Sequence, residues 1–399
     1  MSEWRKIPLS EIADIIGGYA FKSGDFGGTG FPVVKIANIE PPRVNLADGE
    51  RISPDKVAGL DRFCLNDRDI VMAMTGATIG KVGRVRSGEP SYLNQRVAKI
   101  SAKAGSKFDD FIYVLVSQAG FDEEVLTNSN GSAQANISTD GIGRILVPDF
   151  SPDEQLQIGR VVGALDDKIE LNRRMNETLE ALAQSLFKSW FVEATQSALP
   201  KGWRAGTLGE VAENPRRGIQ PDEIKTVTAY IGLEHMPRRC IALSDWGHTE
   251  ELESGKFEFK RGEILFGKLR PYFHKVGVAP LDGVCSTDIL VITPKEPAWF
   301  GFVLGHVSSV ELVNHTNAAS TGTKMPRANW NDISRYEVAL PPKQLAADFT
   351  ETTRPLVERI IANIHESRTL AALRDALLPK LLSGELRVPA VAGSMEAIP

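Results

Sequence analysis

The chain repeats itself at half its length. Trp4-Arg5 precedes Leu9-Ser-Glu-Ile-Ala13, and Trp203-Arg204 precedes Leu208-Gly-Glu-Val-Ala212, offset by 199 at every position. Further on, Asp69-Ile-Val-Met72 matches Glu263-Ile-Leu-Phe266 and Lys81-Val-Gly83 matches Lys275-Val-Gly277, both at 194. Ile145-Leu-Val-Pro148 matches Val338-Ala-Leu-Pro341 at 193. A slowly drifting offset is what two copies leave behind when small loop deletions accumulate. The unit is far longer than the roughly 20–50 residues of a solenoid repeat. It reads as a whole domain followed by a long helix, used twice.

Within each copy the first part is loop-rich, with short β-branched runs (Val33-Val-Lys-Ile36, Asp69-Ile-Val-Met72, Ile289-Leu-Val-Ile292) broken by Gly and Pro. That composition predicts a mixed α/β domain with a strongly bent sheet. Then the period changes. From Ile158 a 4-3-4-3 spacing runs through Val162, Leu165, Ile169, Asn172, Asn176, Leu179, Ala183, Leu186 and Trp190. Adding 191 gives Phe349, Thr353, Leu356, Ile360, Asn363, Ser367, Leu370, Arg374, Leu377 and Leu381. Such spacing marks a coiled-coil seam, in which a buried Asn costs stability and fixes register. Pro152, and Pro341-Pro342, precede the two helices, and Ser383-Gly384 ends the second. Two long helices of one chain, with a domain between them, most simply pair antiparallel. The expected organisation is a first α/β domain over 1–150, a spacer helix within 151–200, a second domain over 201–341, a second spacer helix over 342–388 and a disordered tail over 389–399.

Charge narrows the function. The chain carries 46 basic against 51 acidic residues, and each domain is balanced, which is unlike a whole-surface nucleic-acid binder. Any such contact must come from local clusters. Three cysteines (Cys64, Cys240, Cys285) fit a reducing compartment without a disulfide framework. The opening residues lack a signal-peptide pattern, and no apolar run approaches the roughly 20 residues of a membrane helix, so the expectation is a cytoplasmic protein.

No catalytic constellation emerges. There is no phosphate-cradling lysine loop, no G-x-S-x-G and no dinucleotide fingerprint. The nearest His–Cys pair, His235 and Cys240, lacks ligand spacing, so no metal and no cofactor is expected. A nuclease centre from Asp69, Glu89 and Lys99 has only residue type in its favour. What does recur is a set of polar, Gly-rich loops. In the first copy Thr75, Thr78, Lys81, Arg84 and Arg86 offer hydroxyls and cations among Gly76, Gly80 and Gly83; Asn94, Gln95 and Arg96 follow, and then Ser132, Gln134 and Asn136. In the second copy the counterparts are Lys268, Arg270, Tyr272, His274 and Lys275, then Ser286 and Thr287, then Thr323, Lys324 and Arg327. Hydroxyls and cations suit phosphate contact, while Asn and Gln can pair with adenine and Arg with guanine. The plain alternative for each loop is a solvated surface turn. Matched places carry different chemistry: Gln95-Arg96 becomes Thr287-Asp288.

These strings also carry a family resemblance. Thr75-Gly-Ala-Thr-Ile-Gly-Lys-Val-Gly83 with Asn94-Gln-Arg-Val97, then Gly131-Ser-Ala-Gln-Ala-Asn-Ile-Ser138, then a long helix closing in Leu186-Phe-Lys-Ser-Trp-Phe191, resembles the specificity subunits of Type I restriction–modification systems. Gly262-Glu-Ile-Leu-Phe-Gly-Lys-Leu-Arg-Pro-Tyr272, Asp282-Gly-Val-Cys-Ser-Thr-Asp288 and Leu381-Leu-Ser-Gly-Glu-Leu386 extend the likeness to about residues 3–388. Lys343 departs from it, standing where an acidic residue is common. The resemblance implies an α+β protein of two target-recognition domains separated by an antiparallel pair of long helices. It implies a non-catalytic subunit whose domains each read half of a bipartite site on double-stranded DNA. Two modification subunits would dock on the helices and methylate adenine, and two restriction subunits would translocate and cleave. Three other readings stay open: a coiled-coil scaffold that binds no DNA, an enzyme with a hidden nuclease site, and the specificity subunit of a methylation-only system.

Overall fold

The computed structural model describes residues 4–47, 49–129, 135–224, 227–248, 254–320 and 325–387; the expected tail at 389–399 lies outside them. The chain divides into two units, Met1–Asp167 with Ala372–Pro399, and Lys168–Ala371. The division cuts both long helices, because each α/β head shares its apolar core with the helix ends that it covers.

In the first unit, strands Ile70–Ala73 and Val97–Ala102 lie at the middle of a six-stranded sheet, paired antiparallel with Ile70 opposite Ile100. All four side chains of Ile70–Ala73 are buried, which a strand covered on both faces requires. A four-stranded sheet centres on Phe26–Val34 and Ser91–Leu93, and Lys6–Pro8 pairs with Leu146–Pro148 to close the domain ends. The helix Asp109–Ser117 buries Phe111–Val116. Its core continues into Ile158 and Val162 of the central helix and Leu381 and Leu382 of the C-terminal helix.

The second unit repeats the plan. Ile264–Gly267 pairs with Ile289–Pro294, Ile264 opposite Ile292, in a four-stranded sheet beside a five-stranded one. Arg204–Thr207 pairs with Glu337–Leu340, and the helix Phe300–Val307 takes the place of Asp109–Ser117. Its core runs into Phe187 and Phe191 of the central helix and Phe349, Val357 and Ile360 of the C-terminal one.

The central helix spans Pro152–Phe187 and continues as one π-helical stretch, Lys188–Val192; the C-terminal helix spans Lys343–Ser383. At about 1.5 Å per residue the first is about 54 Å long. They run antiparallel. In the second unit Asn172 Nδ2 donates to Ser367 Oγ (3.3 Å) and Glu366 Oε2 (2.8 Å), and Asn363 Nδ2 donates to Asn176 Oδ1 (2.8 Å). Adding 191 to Asn172 and subtracting it from Ser367 turns the first pair into the second. The two asparagine layers are thus twofold mates, related about a point near residues 174 and 365. Asn172 and Asn363 are fully buried, and every seam position, from Leu165, Ile169, Leu179 and Leu186 to Leu356, Ile360, Leu370 and Leu377, is shielded from full exposure.

Candidate nucleic-acid interface

Three backbone hydrogen bonds gather the polar loops of the first head. Met74 N–H donates to Arg96 O (3.0 Å), Gly76 N–H to Ala135 O (3.1 Å) and Ile137 N–H to Met74 O (3.0 Å). The second head repeats all three at matched positions: Lys268 N–H to Asp288 O (2.9 Å), Arg270 N–H to Pro326 O (2.8 Å) and Ala328 N–H to Lys268 O (2.9 Å). The loop after the first of these strands also keeps its backbone shape. Gly76 and Gly80 take φ of +77° and +81°, and Arg270 and His274, 194 residues later, take +52° and +49°. A left-handed residue other than Gly is strained by roughly 1–2 kcal/mol, so the second head holds this loop shape against a cost that the first avoids.

On this shared scaffold the expected residues separate. Lys81, Gln95, Arg96 and Asn136 are exposed in the first head, as are Tyr272, Thr287 and Arg327 in the second; Asn94, Lys268, Arg270 and Ser286 are half-buried. Ser132, Gln134, Thr323 and Lys324 lie outside the described residues.

Several expectations need correcting. Thr75 is buried, and its hydroxyl donates to Ala135 O (3.2 Å), bracing the loop. The Thr78 hydroxyl oxygen is buried, without a partner among the described residues. Arg84 is 1% exposed and cannot reach a ligand. It sits in a strand where the second head has Val278, pairs with Asp110 (2.7 Å) and lies over the Tyr113 ring. Arg86 pairs with Asp167 on the central helix (3.1 Å). His274 is buried against Ser308 O (2.9 Å), and burial pushes its imidazole below the ordinary value, towards the neutral form. Lys275 donates to Leu233 O (2.6 Å), and burial lowers its pKa. The nuclease reading fails as well: Lys99 pairs with Asp69 (2.6 Å), whereas Glu89 pairs with Arg51 (2.8 Å). Among the described residues no three His, Cys, Asp or Glu side chains assemble as a metal site, and no helix is long and apolar enough to cross a membrane.

One residue at this surface had no place in the sequence reading. Tyr19 is 40% exposed, stands against Phe21 and Phe63 with ring centres 4.9 and 5.5 Å away, and pairs in parallel with Asn94. A signal preceded it: a Cβ on Gly18 would fall 2.0 Å from Asn94 O, so the Gly17-Gly18 doublet marks a close backbone approach. Asp288, which the sequence showed only as the changed counterpart of Arg96, lies 3.5 Å from the Arg327 guanidinium.

A pair of α/β heads on antiparallel helices, each presenting a loop cluster of one shape and different side chains, defines a two-headed recognition protein. Residues 1–181 match the Type I restriction modification DNA specificity domain. The MjaIX specificity subunit of Methanocaldococcus jannaschii is 26% identical, with 97% of this chain and 94% of that protein aligned. The HindI specificity subunit of Haemophilus influenzae is 23% identical, over 97% of this chain and all of its own length. In fold, the chain is similar to the crystal structure of the Type I S subunit from M. genitalium, with a TM-score of 0.59 at 15% identity over 95% of this chain and 96% of that one. Over nearly its whole length the chain is thus similar to the specificity subunits of Type I restriction–modification systems, and its first half carries the match to their DNA specificity domain.

Proposed function

We propose that each head reads one half of a bipartite, asymmetric DNA site, and that the chain thereby directs adenine methylation and DNA cleavage by partner subunits in the cytoplasm. The observation that carries this is the loop cluster: three matched backbone hydrogen bonds in both heads, under side chains that differ. A constant scaffold with changed chemistry suits two readers of different sequences. Spacing between readers sets the gap between half-sites, and the helix pair supplies that spacing. Two copies of a modification subunit dock on the helices. Thr178, Ala181 and Leu182 are exposed on the central helix, and Thr369, Ala372 and Leu373, 191 residues later, are the same residues, equally exposed. Solvated positions need no such agreement, and two equal faces suit two equal partners. Two restriction subunits complete the complex. Exchanging residues 201–341 for another recognition domain tests the reading: one half-site changes and the other stays. A change in both halves overturns it.

A further inference from the structure

We infer that both heads use one shared position to read a base, Asn136 reading adenine in the first and Arg327 guanine in the second, with Asp288 positioning Arg327. This rests on the reading above that the loop clusters meet DNA. Asn136 and Arg327 correspond in the fold: Thr75 bridges Asn136 antiparallel, and Leu269, the counterpart of Thr75, bridges Arg327 in the same way. Each is pinned on both sides. The carbonyl of Ala135 and the amide of Ile137 are held by the neighbouring strand end, and so are those of Pro326 and Ala328. Both side chains are exposed on that fixed backbone. A rigid base with a free, directional side chain is what discrimination between base edges requires.

The side chains then select. The amide of Asn can donate to and accept from adenine N6 and N7, while the guanidinium fork matches guanine O6 and N7. Asp288 decides between base and phosphate for Arg327. Its carboxylate is 3.5 Å from the guanidinium, and its backbone is fixed by the bond from Lys268 and by its own amide to Ser286 Oγ (3.2 Å). A carboxylate there restricts the Arg rotamer and engages one edge of the fork, leaving other N–H donors free. It also makes the pair nearly neutral. A phosphate would meet like charge at Asp288, whereas a guanine edge would not. In the first head Arg96 occupies the place of Asp288, so Asn136 has no carboxylate beside it from that loop.

The test is methylation-site mapping with the full chain and its modification partner. Arg327→Ala relaxes a single guanine of one half-site by roughly ten- to a hundredfold, leaving the other half-site and the gap unchanged. Arg327→Gln moves the preference at that position towards adenine. Asp288→Asn weakens selection of the same guanine and of no other base. Asn136→Ala relaxes one adenine in the opposite half-site. Methylation that continues at the remaining positions shows that the variants fold and assemble. The inference is overturned if the Arg327 variants keep the full motif while methylation falls uniformly, if they relax a base other than guanine, or if Asp288→Asn relaxes a different position. A wild-type motif without two halves would instead overturn the reading beneath it.

Discussion

Arg68 holds Asp167 through one guanidinium nitrogen, 2.7 and 2.8 Å from the two carboxylate oxygens. The other terminal nitrogen reaches Asp110 at 2.8 Å. Burial raises the Asp167 carboxyl, but Arg68 and Arg86 outweigh it and hold the group below its ordinary value. The second unit repeats the joint with Arg261 and Glu358, 193 and 191 residues further on. A head-to-helix ion pair therefore belongs to the duplicated plan.

The first prediction concerns the buried side of that joint. Asp110→Ala leaves the Arg84 guanidinium buried without its carboxylate, which costs about 3–5 kcal/mol. Arg68→Ala removes a side chain that is 41% exposed and costs about 1 kcal/mol or less. Urea unfolding of the two variants measures the difference, and equal losses contradict the assignment of Arg84 as a structural group.

Glu180 predicts a pH dependence. It lies buried on the central helix, its carboxylate accepting the Ile241 N–H at 3.0 and 3.1 Å. Burial pushes its pKa from 4.5 up to about 7. The folded chain thus keeps a proton that the unfolded chain releases above pH 4.5. The associated stability is complete below pH 4.5 and is lost as pH rises to about 7. Glu180→Gln keeps an acceptor for Ile241 without the charge. Relative to wild type it gains up to about 3 kcal/mol between pH 4.5 and pH 8, read by denaturant unfolding at both pH values. A difference that does not vary with pH contradicts this.

The long-range plan was legible in the sequence because the repeat and the heptad spacing are local, periodic signals. The seam residues and the asparagines needed only counting. The partner of each asparagine was less accessible: Asn172 and Asn363 sit at equivalent places but do not face each other, since a twofold exchanges the helices. Within the heads, composition misled. Arg84 and Arg86 read as free cations beside Gly83, yet Arg84 finds Asp110 only because a strand and a helix 26 residues apart pack together. Short strands, mostly of two to six residues and paired across long separations, leave no local mark of which face a side chain takes. The left-handed Arg270 and His274 were readable in principle, since the 194-residue offset sets them on Gly76 and Gly80.

Arg270 supplies the next prediction. Replacement by Gly removes the strain of its left-handed backbone, roughly 1–2 kcal/mol, against an entropic cost of about 0.5–1 kcal/mol. Stability therefore holds or rises slightly, while loss of a cation from the loop cluster weakens DNA binding and lowers the salt slope by about one unit. Thermal unfolding and salt-dependent binding of the assembled complex check the two halves. A variant that unfolds readily contradicts the relief of strain, and one that binds as wild type contradicts a recognition role for Arg270.

The most direct test of two heads reading two half-sites is genome-wide mapping of methylated adenine in a host carrying this chain and its modification partner. The expected result is a motif in two unlike parts, separated by a fixed number of unspecified base pairs. A contiguous motif, or two parts whose separation varies from site to site, would contradict it.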